Sequence, residues 1–243
     1  MHVLTRESSD YNDITVYEMG ELYGETGRFR CLKFADDAVQ GAIDLRRPER
    51  VLLGYQRAVI GLLDELCPEL GRVFVIGHGI GTIARHYANR HVVVAEIDRM
   101  VVELSRRYFG YVGDNVILGD GKEVLAQQVN EEYDAIVLDA FTQDGTPRSL
   151  TTASFFGMVA EKLAPGGVLV CNLFGRSRGD KRIGAVYAGL SAAFAHVAAY
   201  GIAGDRDEGN LILIGGRTDF EAAPREIAGY RPVTVELGFA VRD

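Results

Sequence analysis

Four short apolar segments follow one another in the middle of the chain, and each ends in a polar residue. They are VFVIGHGIG (Val73–Gly81), VVVAEID (Val92–Asp98), ILGDG (Ile117–Gly121) and AIVLDAF (Ala135–Phe141). Each segment is predicted to be a β-strand. In an open α/β sheet, ligands bind at the carboxyl ends of the parallel strands. The pattern therefore predicts one rim on which four residues converge: Gly77, Glu96, Asp120 and Asp139.

The glycine loop after the first of these strands predicts a nucleoside site. Gly77, Gly79 and Gly81 have no Cβ atom to hold a ligand away from the backbone, and the loop opens a helix whose amide groups face the ligand. A dinucleotide fingerprint requires glycine at the sixth position of G-x-G-x-x-G, where this chain has Thr82. The loop therefore favours a mononucleoside over a dinucleotide.

The acidic strand ends fit the parts of an adenosine. Glu96, at the tip of the second strand, can accept hydrogen bonds from both hydroxyls of an unphosphorylated ribose. Asp120 can accept one from the exocyclic amine of adenine, and Asp139 lies nearest to the reactive end of the ligand. In an alternative interpretation Glu96 and Asp98 are helix N-cap carboxylates. We favour that interpretation for Asp98 but not for Glu96.

The remaining pattern predicts an α/β chain with a small N-terminal β-hairpin element, residues 1–50, and a Rossmann-like domain, residues 51–243. Two β-like runs, ITVYEM (Ile14–Met19) and RFRCLKF (Arg28–Phe34), flank the turn-rich YGETG. They predict a hairpin that covers the ligand rim. Helical and strand patterns then alternate up to a seventh strand at Leu211–Gly216, so a seven-stranded sheet is expected. The tail after Asp219 has no regular pattern.

Five segments resemble those of the spermidine synthase family. They are VFVIGHGIG, VVVAEID, ILGDG, VLDAF and LAPGGVLV (Leu163–Val170). The family consists of aminopropyltransferases with the class I S-adenosylmethionine (SAM) methyltransferase fold. The resemblance implies transfer of an aminopropyl group from decarboxylated SAM to a small-molecule amine such as putrescine. A SAM-dependent N- or O-methyltransferase and a catalytically inactive adenosyl-ligand-binding domain are the alternatives.

The resemblance also implies the residues that hold the nucleoside. Gln40 follows Val39 as in the Val-Gln pair of the family's N-terminal hairpins, and Gln56 belongs to the pair that opens the helix before the glycine loop. Both are expected near the nucleoside. Glu96 is expected on the ribose, and Asp120, with Gly121 beside it, on the adenine.

For the chemistry, the resemblance implies that Asp139, assisted by Tyr55, activates the attacking amine. The family's Asp-Ser-Ser-Asp-Pro is replaced by DAFTQDGTP (Asp139–Pro147), so Asp144 is the nearest candidate for the second acid. Ile80 takes the position of an aspartate that lies near the aminopropyl group in true spermidine synthases. We therefore expect weak discrimination between SAM and its decarboxylated form. These departures are typical of a divergent, spermidine synthase-like branch.

Two further features have more than one interpretation. His78 lies within the glycine loop, and we interpret its imidazole as solvent-facing, with contact to the ligand as the alternative. The basic run GRSRGDKR (Gly175–Arg182) is either a solvated loop or an element that covers the site or binds a substrate carboxylate. The carboxylate option would argue against a simple diamine.

Composition excludes several classes of protein. A net charge of −8 disfavours nucleic acid as a partner and suits a cationic substrate. No run approaches ~18 apolar residues, and the N-terminus lacks a signal-peptide core, so no membrane association and a cytoplasmic location are expected. Three separated cysteines suit reduced thiols, and none has metal-ligand spacing with a histidine, so no metal is expected. A homodimer is also expected.

Overall fold

The computed structural model describes residues 1–35, 38–142, 145–202, 208–220 and 223–241, which form two sheets. The smaller sheet is antiparallel and has four strands in sequence order. They are β1 (His2–Ser8), β2 (Asp13–Leu22), β3 (Glu25–Lys33) and β4 (Val39–Asp44). The predicted hairpin is β2 and β3, whose turn at Tyr23 and Gly24 has positive φ at both residues. The hairpin is confirmed, and one further strand flanks it on each side.

The larger sheet has eight strands in the order β12-β10-β11-β9-β8-β5-β6-β7. Its strands, with the helices between them, are α1 (Gly54–Leu66), β5 (Arg72–Ile76), α2 (Thr82–His86), β6 (His91–Glu96), α3 (Arg99–Phe109), β7 (Val116–Leu118), α4 (Gly121–Ala126), β8 (Tyr133–Leu138), α5 (Ala153–Lys162), β9 (Leu163–Gly175), α6 (Lys181–Ala193), β10 (His196–Ile202), β11 (Gly209–Gly216) and β12 (Tyr230–Pro232). The α/β fold and its seven predicted strands are confirmed. The eighth strand, β12, is a short edge strand in the unpatterned tail, because three residues are too few to display a period.

The strand order reverses at β5, which pairs in parallel with β6 on one side and with β8 on the other. The chain leaves β5 toward one edge of the sheet and returns toward the other edge with β8, which opens a crevice at the carboxyl ends of these strands. Successive side chains of β8 pack on opposite faces: Ala135 and Val137 lie in the cluster with α1, whereas Ile136 and Leu138 lie in the cluster with α5 and α6. A sheet covered on both faces is rigid where the crevice opens.

Close packing at the end of β5 requires glycine. Gly77 has φ +96°, and a Cβ atom there would lie 2.1 Å from the carbonyl oxygen of Asp139. The Asp139 amide donates a hydrogen bond to Ile76 O at 2.9 Å. The ends of β5 and β8 are therefore held in backbone contact, with the Asp139 side chain beside the glycine loop.

The small sheet docks on α3 through an apolar cluster. Ile14, Val16, Leu32 and Ile43 come from the small sheet, and they pack with Ile80, Val101, Leu104 and Phe109. The Ile80 side chain is 2% exposed, and its Cγ2 atom is the nearest neighbour of Gly41, whose Cβ would lie 2.6 Å away. Ile80 thus joins the glycine loop to the small sheet. No described helix is both long and apolar enough to span a membrane.

We expect Ile80→Asp to lower the free energy of unfolding by about 3 to 5 kcal/mol, because it leaves an uncompensated charge in an apolar cluster. Ile80→Val, which removes one methylene, should cost about 0.5 to 1.5 kcal/mol. Urea denaturation of both variants is the measurement. Equal stability of the two variants would show that this side chain faces water rather than the small sheet.

Candidate active site

A cavity of about 260 Å³ opens at the carboxyl ends of β5, β6 and β8. Nine of the predicted site residues line it: Gln40, Tyr55, Gln56, Gly77, Gly79, Glu96, Asp120, Gly121 and Asp139. Gly81 is not among the described lining residues; it has φ +79°, and a Cβ there would lie 2.3 Å from the Tyr111 ring, so its role is to let the loop pack. The predicted second acid, Asp144, lies outside the described residues.

Glu96 ends β6 and is 8% exposed. Its Oε2 accepts a hydrogen bond from the His78 amide at 2.7 Å, and its Oε1 accepts one from the Asp98 amide at 2.9 Å. Burial raises the pKa of Glu96, while these backbone hydrogen bonds oppose the rise. Because each carboxylate oxygen can accept two hydrogen bonds, the fixed carboxylate can still accept two ligand hydroxyls.

Asp98 is a helix cap, as favoured from the sequence. Its Oδ1 accepts from the Met100 amide at 2.9 Å at the start of α3. Its Oδ2 accepts a hydrogen bond from the Ser9 hydroxyl at 2.5 Å. Asp98 therefore ties the connection between β1 and β2 to the rim of the cavity.

Asp120 and Gly121 form the start of α4. Asp120 Oδ1 accepts from the amides of Lys122 and Glu123 at 2.8 and 3.2 Å, so this side chain caps the helix as well as lining the cavity. A Cβ at Gly121 would lie 2.3 Å from Ile76 Cγ2, so only glycine lets α4 begin this close to β5. Asp120 and Gly121 together place one carboxylate, that of Asp120, beside the ends of β5 and β6.

The predicted solvent exposure of His78 is wrong. Its side chain is 7% exposed, its ring packs edge-on against Tyr111, and its Nε2 lies 2.8 Å from the Ser105 hydroxyl. Burial lowers the pKa of His78 to about 4, so the imidazole is neutral. Since the Ser105 hydroxyl donates to Val102 O, Nε2 carries the proton and Nδ1 is an acceptor. The loop buries the ring against α3, which sequence spacing does not reveal.

The interpretation of Ile80 as an apolar surface beside the ligand is also wrong. Its side chain is not among the described residues that line this cavity and lies in the cluster between the small sheet and α3. Side chains two residues apart can point in opposite directions in this loop, because its three glycines have positive φ and the loop therefore has no regular period. The replacement of the family's aspartate by Ile80 is therefore weaker evidence about discrimination between SAM and decarboxylated SAM than the sequence implied.

Asp139 lies at the centre of a side-chain network. Its Oδ1 accepts a hydrogen bond from Asn172 Nδ2 at 2.8 Å, and its Oδ2 accepts one from the Tyr55 hydroxyl at 3.4 Å. Gln56 Nε2 donates to the Tyr55 hydroxyl at 3.3 Å. Asn172 Oδ1 in turn accepts from Asn210 Nδ2 at 2.9 Å. Two elements far apart in the chain, α1 and β9, therefore fix the carboxylate.

The network sets the protonation of its members. Burial raises the pKa of Asp139 to about 6, and the hydrogen bonds from Asn172 and Tyr55 limit the rise. Burial, followed by the charge of Asp139, raises the pKa of Tyr55 well above its ordinary value. Tyr55 therefore stays protonated and donates to a carboxylate that can exchange a proton near neutral pH.

Three buried side-chain atoms in the described chain lack a hydrogen-bond partner, and all three belong to residues that line the cavity. They are Asn12 Oδ1, Gln56 Oε1 and His78 Nδ1. Each is an acceptor in the tautomer or amide orientation described. Because a buried acceptor without a partner is costly, these atoms fit a ligand that carries several donors, such as hydroxyl and amino groups.

Sequence reasoning missed the part of the wall that the small sheet supplies. Tyr11 and Asn12 from the β1–β2 connection and Phe34 after β3 line the cavity, together with the predicted Gln40. The predicted hairpin turn at Tyr23 is not among the described lining residues, so the rim is covered by the other end of the sheet. Asn172 was also missed, although a polar residue inside the apolar run VLVCNLF is a detectable signal.

The basic run Gly175–Arg182 divides between the end of β9, a loop and the start of α6. Lys181 and Arg182, with Arg148, line a second cavity of about 960 Å³. This cavity shares Thr142 and Pro147 with the first, so the two are neighbours on either side of the segment after β8. The basic residues therefore adjoin the site without lining the first cavity.

Comparison with known proteins identifies relatives of this chain. A family model described as the spermine/spermidine synthase domain matches residues 52–174. The polyamine aminopropyltransferase of Vibrio vulnificus is 29% identical over 227 residues, covering 87% of this chain and 71% of that protein. Spermidine synthase 1 of Pisum sativum is 33% identical over 178 residues, covering 69% of this chain and 49% of that protein.

A solved structure has the same fold. The crystal structure of a probable spermidine synthase from Corynebacterium glutamicum aligns with a TM-score of 0.77 at 24% identity, covering 90% of this chain and 82% of that chain. The chain spans about half the length of the plant enzymes that it matches. The family model includes the glycine loop, Glu96, Asp120 and Asp139, and it covers just over half of the sequence. The chain belongs to the spermine/spermidine synthase family.

Proposed function

We propose that this chain transfers an aminopropyl group from decarboxylated SAM to a small-molecule amine such as putrescine. The observation that carries the proposal is Asp139, a carboxylate with a pKa of about 6 held by Tyr55 and Asn172 at the wall of the cavity. Family membership and the aminopropyltransferase named among its relatives support the reaction type. The homodimer and the cytoplasmic location remain predictions.

The nucleoside part of the donor would be held by the carboxylates at the ends of β6 and β7. Glu96 is fixed by two backbone amides, so it can accept from the ribose hydroxyls without rearranging. Asp120 can accept from the adenine amine, and the unpartnered oxygens of Gln56 and Asn12 can accept further donors of the ligand. The open space beside Gly79, where a Cβ would meet nothing within 4 Å, leaves room for the ligand to lie against the loop.

The reaction is a displacement at carbon. The amine nitrogen forms a bond to the aminopropyl carbon, the bond from that carbon to sulfur breaks, and the electron pair returns to sulfur as a neutral thioether. The sulfonium is itself a good leaving group, so the reaction calls for no metal. The chain's task is to align a neutral amine behind the carbon and to accept its proton, which Asp139 can do while Tyr55 holds Oδ2 in position.

The experiment is incubation with decarboxylated SAM and putrescine, followed by mass spectrometry for spermidine and 5′-methylthioadenosine. Intact SAM is tested in parallel. A methylated amine made only from intact SAM would replace the proposal with a methyltransferase. Binding of the nucleoside without transfer from either donor would indicate an inactive binding domain.

Glu96→Gln should weaken binding of 5′-methylthioadenosine about 10- to 100-fold, because the ribose hydroxyls lose a charged acceptor worth about 1.5 to 3 kcal/mol. Calorimetry is the measurement. Glu103→Gln removes the same charge from an exposed position on α3 and serves as the matched control. Equal affinities for the two variants would show that the ribose is held elsewhere.

Asp139→Asn should lower turnover roughly 100-fold or more while leaving 5′-methylthioadenosine affinity intact, because an amide of the same shape cannot accept the amine proton. Turnover and calorimetry on one preparation provide the two readouts. Wild-type turnover in this variant would remove Asp139 from the mechanism.

The pH dependence of kcat/KM should have an acid limb near pH 6. Asp139 must be ionised to accept a proton, and its pKa is raised to about 6, so activity should fall as the pH drops through that value. A limb at pH 4, the range of an ordinary carboxyl group, would show that Asp139 does not titrate as the base.

A further inference from the structure

We infer that Asn210 and Asn172 form a side-chain relay that orients the Asp139 carboxylate for proton transfer, so that both are positioning residues for the proposed reaction. Asn210 Nδ2 donates to Asn172 Oδ1 at 2.9 Å, and Asn172 Nδ2 donates to Asp139 Oδ1 at 2.8 Å. The relay crosses three neighbouring strands, β11, β9 and β8. The role inferred for the two asparagines rests on the proposed function only because that function assigns the proton transfer to Asp139.

The register of the sheet creates the relay. On β9, Asn172 continues the row of Val168 and Val170 in the cluster that packs against α1. Its direct partner across the ladder on β11 is Ile212, and Asn210 lies two residues away on the same face of that strand. Side chains related in this diagonal way are within reach of each other. Asn172 therefore meets Asn210 on one side and Asp139 on the other.

Asn210 supports the orientation in which the Asn172 amide donates to Asp139. The oxygen and nitrogen of an amide are nearly equal in size, so shape alone does not distinguish the two orientations. With Nδ2 toward Asp139, Asn172 offers a donor to a carboxylate and leaves its oxygen toward Asn210, which offers a donor in return. In the flipped orientation an amide oxygen would face the carboxylate. The carboxylate of Asp139 and the donor on Asn210 therefore favour the same orientation of Asn172, and Asn210 stabilises it by satisfying the amide oxygen.

Because Asn172 is buried, the loss of either of its hydrogen bonds is costly. Asn172 is 0% exposed, so water does not reach it to replace either hydrogen bond. A buried amide that loses a partner bears the full cost of desolvation. Removing the donor of Asn210 should therefore disturb Asn172 and, through it, Asp139.

The relay also decides which oxygen takes the proton. Oδ1 of Asp139 faces the permanent donor of Asn172, whereas Oδ2 faces the Tyr55 hydroxyl at the longer distance of 3.4 Å. A proton arriving from the amine would therefore reside on Oδ2. The hydrogen bond from Asn172 favours the ionised carboxylate, so weakening it should raise the pKa of Asp139 and move the acid limb of activity to higher pH.

Other ionisable groups face Asp139 from the elements around it. Among the described residues of the cavity wall, these are Tyr11, Tyr55, His78, Glu96 and Asp120. None of them is altered by a substitution at Asn210. Asn210→Leu adds no charge, so a shift of the acid limb in that variant reports on the relay rather than on a change of charge in the cavity.

The test compares Asn210→Leu, which has a similar shape and no donor, with Gln128→Leu. Gln128 is a half-buried amide outside the cavity, where it accepts from the Tyr133 hydroxyl at 2.8 Å and donates to Val124 O at 3.0 Å. We expect Asn210→Leu to lower kcat/KM at pH 7 by about fivefold or more, with unchanged 5′-methylthioadenosine affinity and an acid limb raised by up to about one pH unit. Gln128→Leu should lose stability without moving the limb.

Asn210→Asp provides a second, isosteric variant. Its ionised carboxylate cannot donate to Asn172 Oδ1, so the loss of kcat/KM should be at least as large as in Asn210→Leu. An unchanged acid limb in Asn210→Leu, with a loss of stability like that of Gln128→Leu, would overturn the relay whatever the charged Asn210→Asp variant shows. Carbon-13 NMR of the Asp139 carboxyl group measures the change in its pKa without turnover, so the relay can be tested even if aminopropyl transfer fails.

Discussion

The backbone contact between Gly77 and Asp139 is the constraint on which the rest of the site depends. It brings the ends of β5 and β8 to a separation that no side chain at Gly77 would permit. Because β6 pairs with the other side of β5, the same contact fixes the distance between Asp139 and Glu96. The carboxylates of Asp139 and Glu96 thus share one frame of paired strands rather than depending on separate loops.

Burying carboxylates in that frame has a cost, and the structure offsets it with directed hydrogen bonds. Glu96 receives two backbone amides, Asp120 receives two, and Asp139 receives side chains from α1 and β9. The three carboxylates lie on one wall of the cavity, which would favour a cationic ligand. The same desolvation that opposes charge on Asp139 makes it a suitable proton acceptor near neutral pH.

The small sheet completes the site. Its strands pack on α3 through the cluster that contains Ile80, and the hydrogen bond from Ser9 to Asp98 fixes the β1–β2 connection over the rim. Asn12, three residues after Ser9, presents an unpartnered oxygen in the cavity wall. The N-terminal sheet therefore supplies part of the wall, and the cavity is incomplete without it.

The sequence by itself determined the fold class, the strands and the acids at their ends, because apolar runs, glycines and terminal carboxylates are local signals that parallel topology converts into one rim. Tertiary structure alone decided the direction of His78 and Ile80, since a loop of positive-φ glycines has no period from which to read a side chain's orientation. It also decided the roles of Asn12, Asn172 and Asn210. Asn172 lies 33 residues from Asp139 and 38 from Asn210, and only the pairing of β8, β9 and β11 brings them together, whereas Asn12 reaches the cavity because the small sheet docks there.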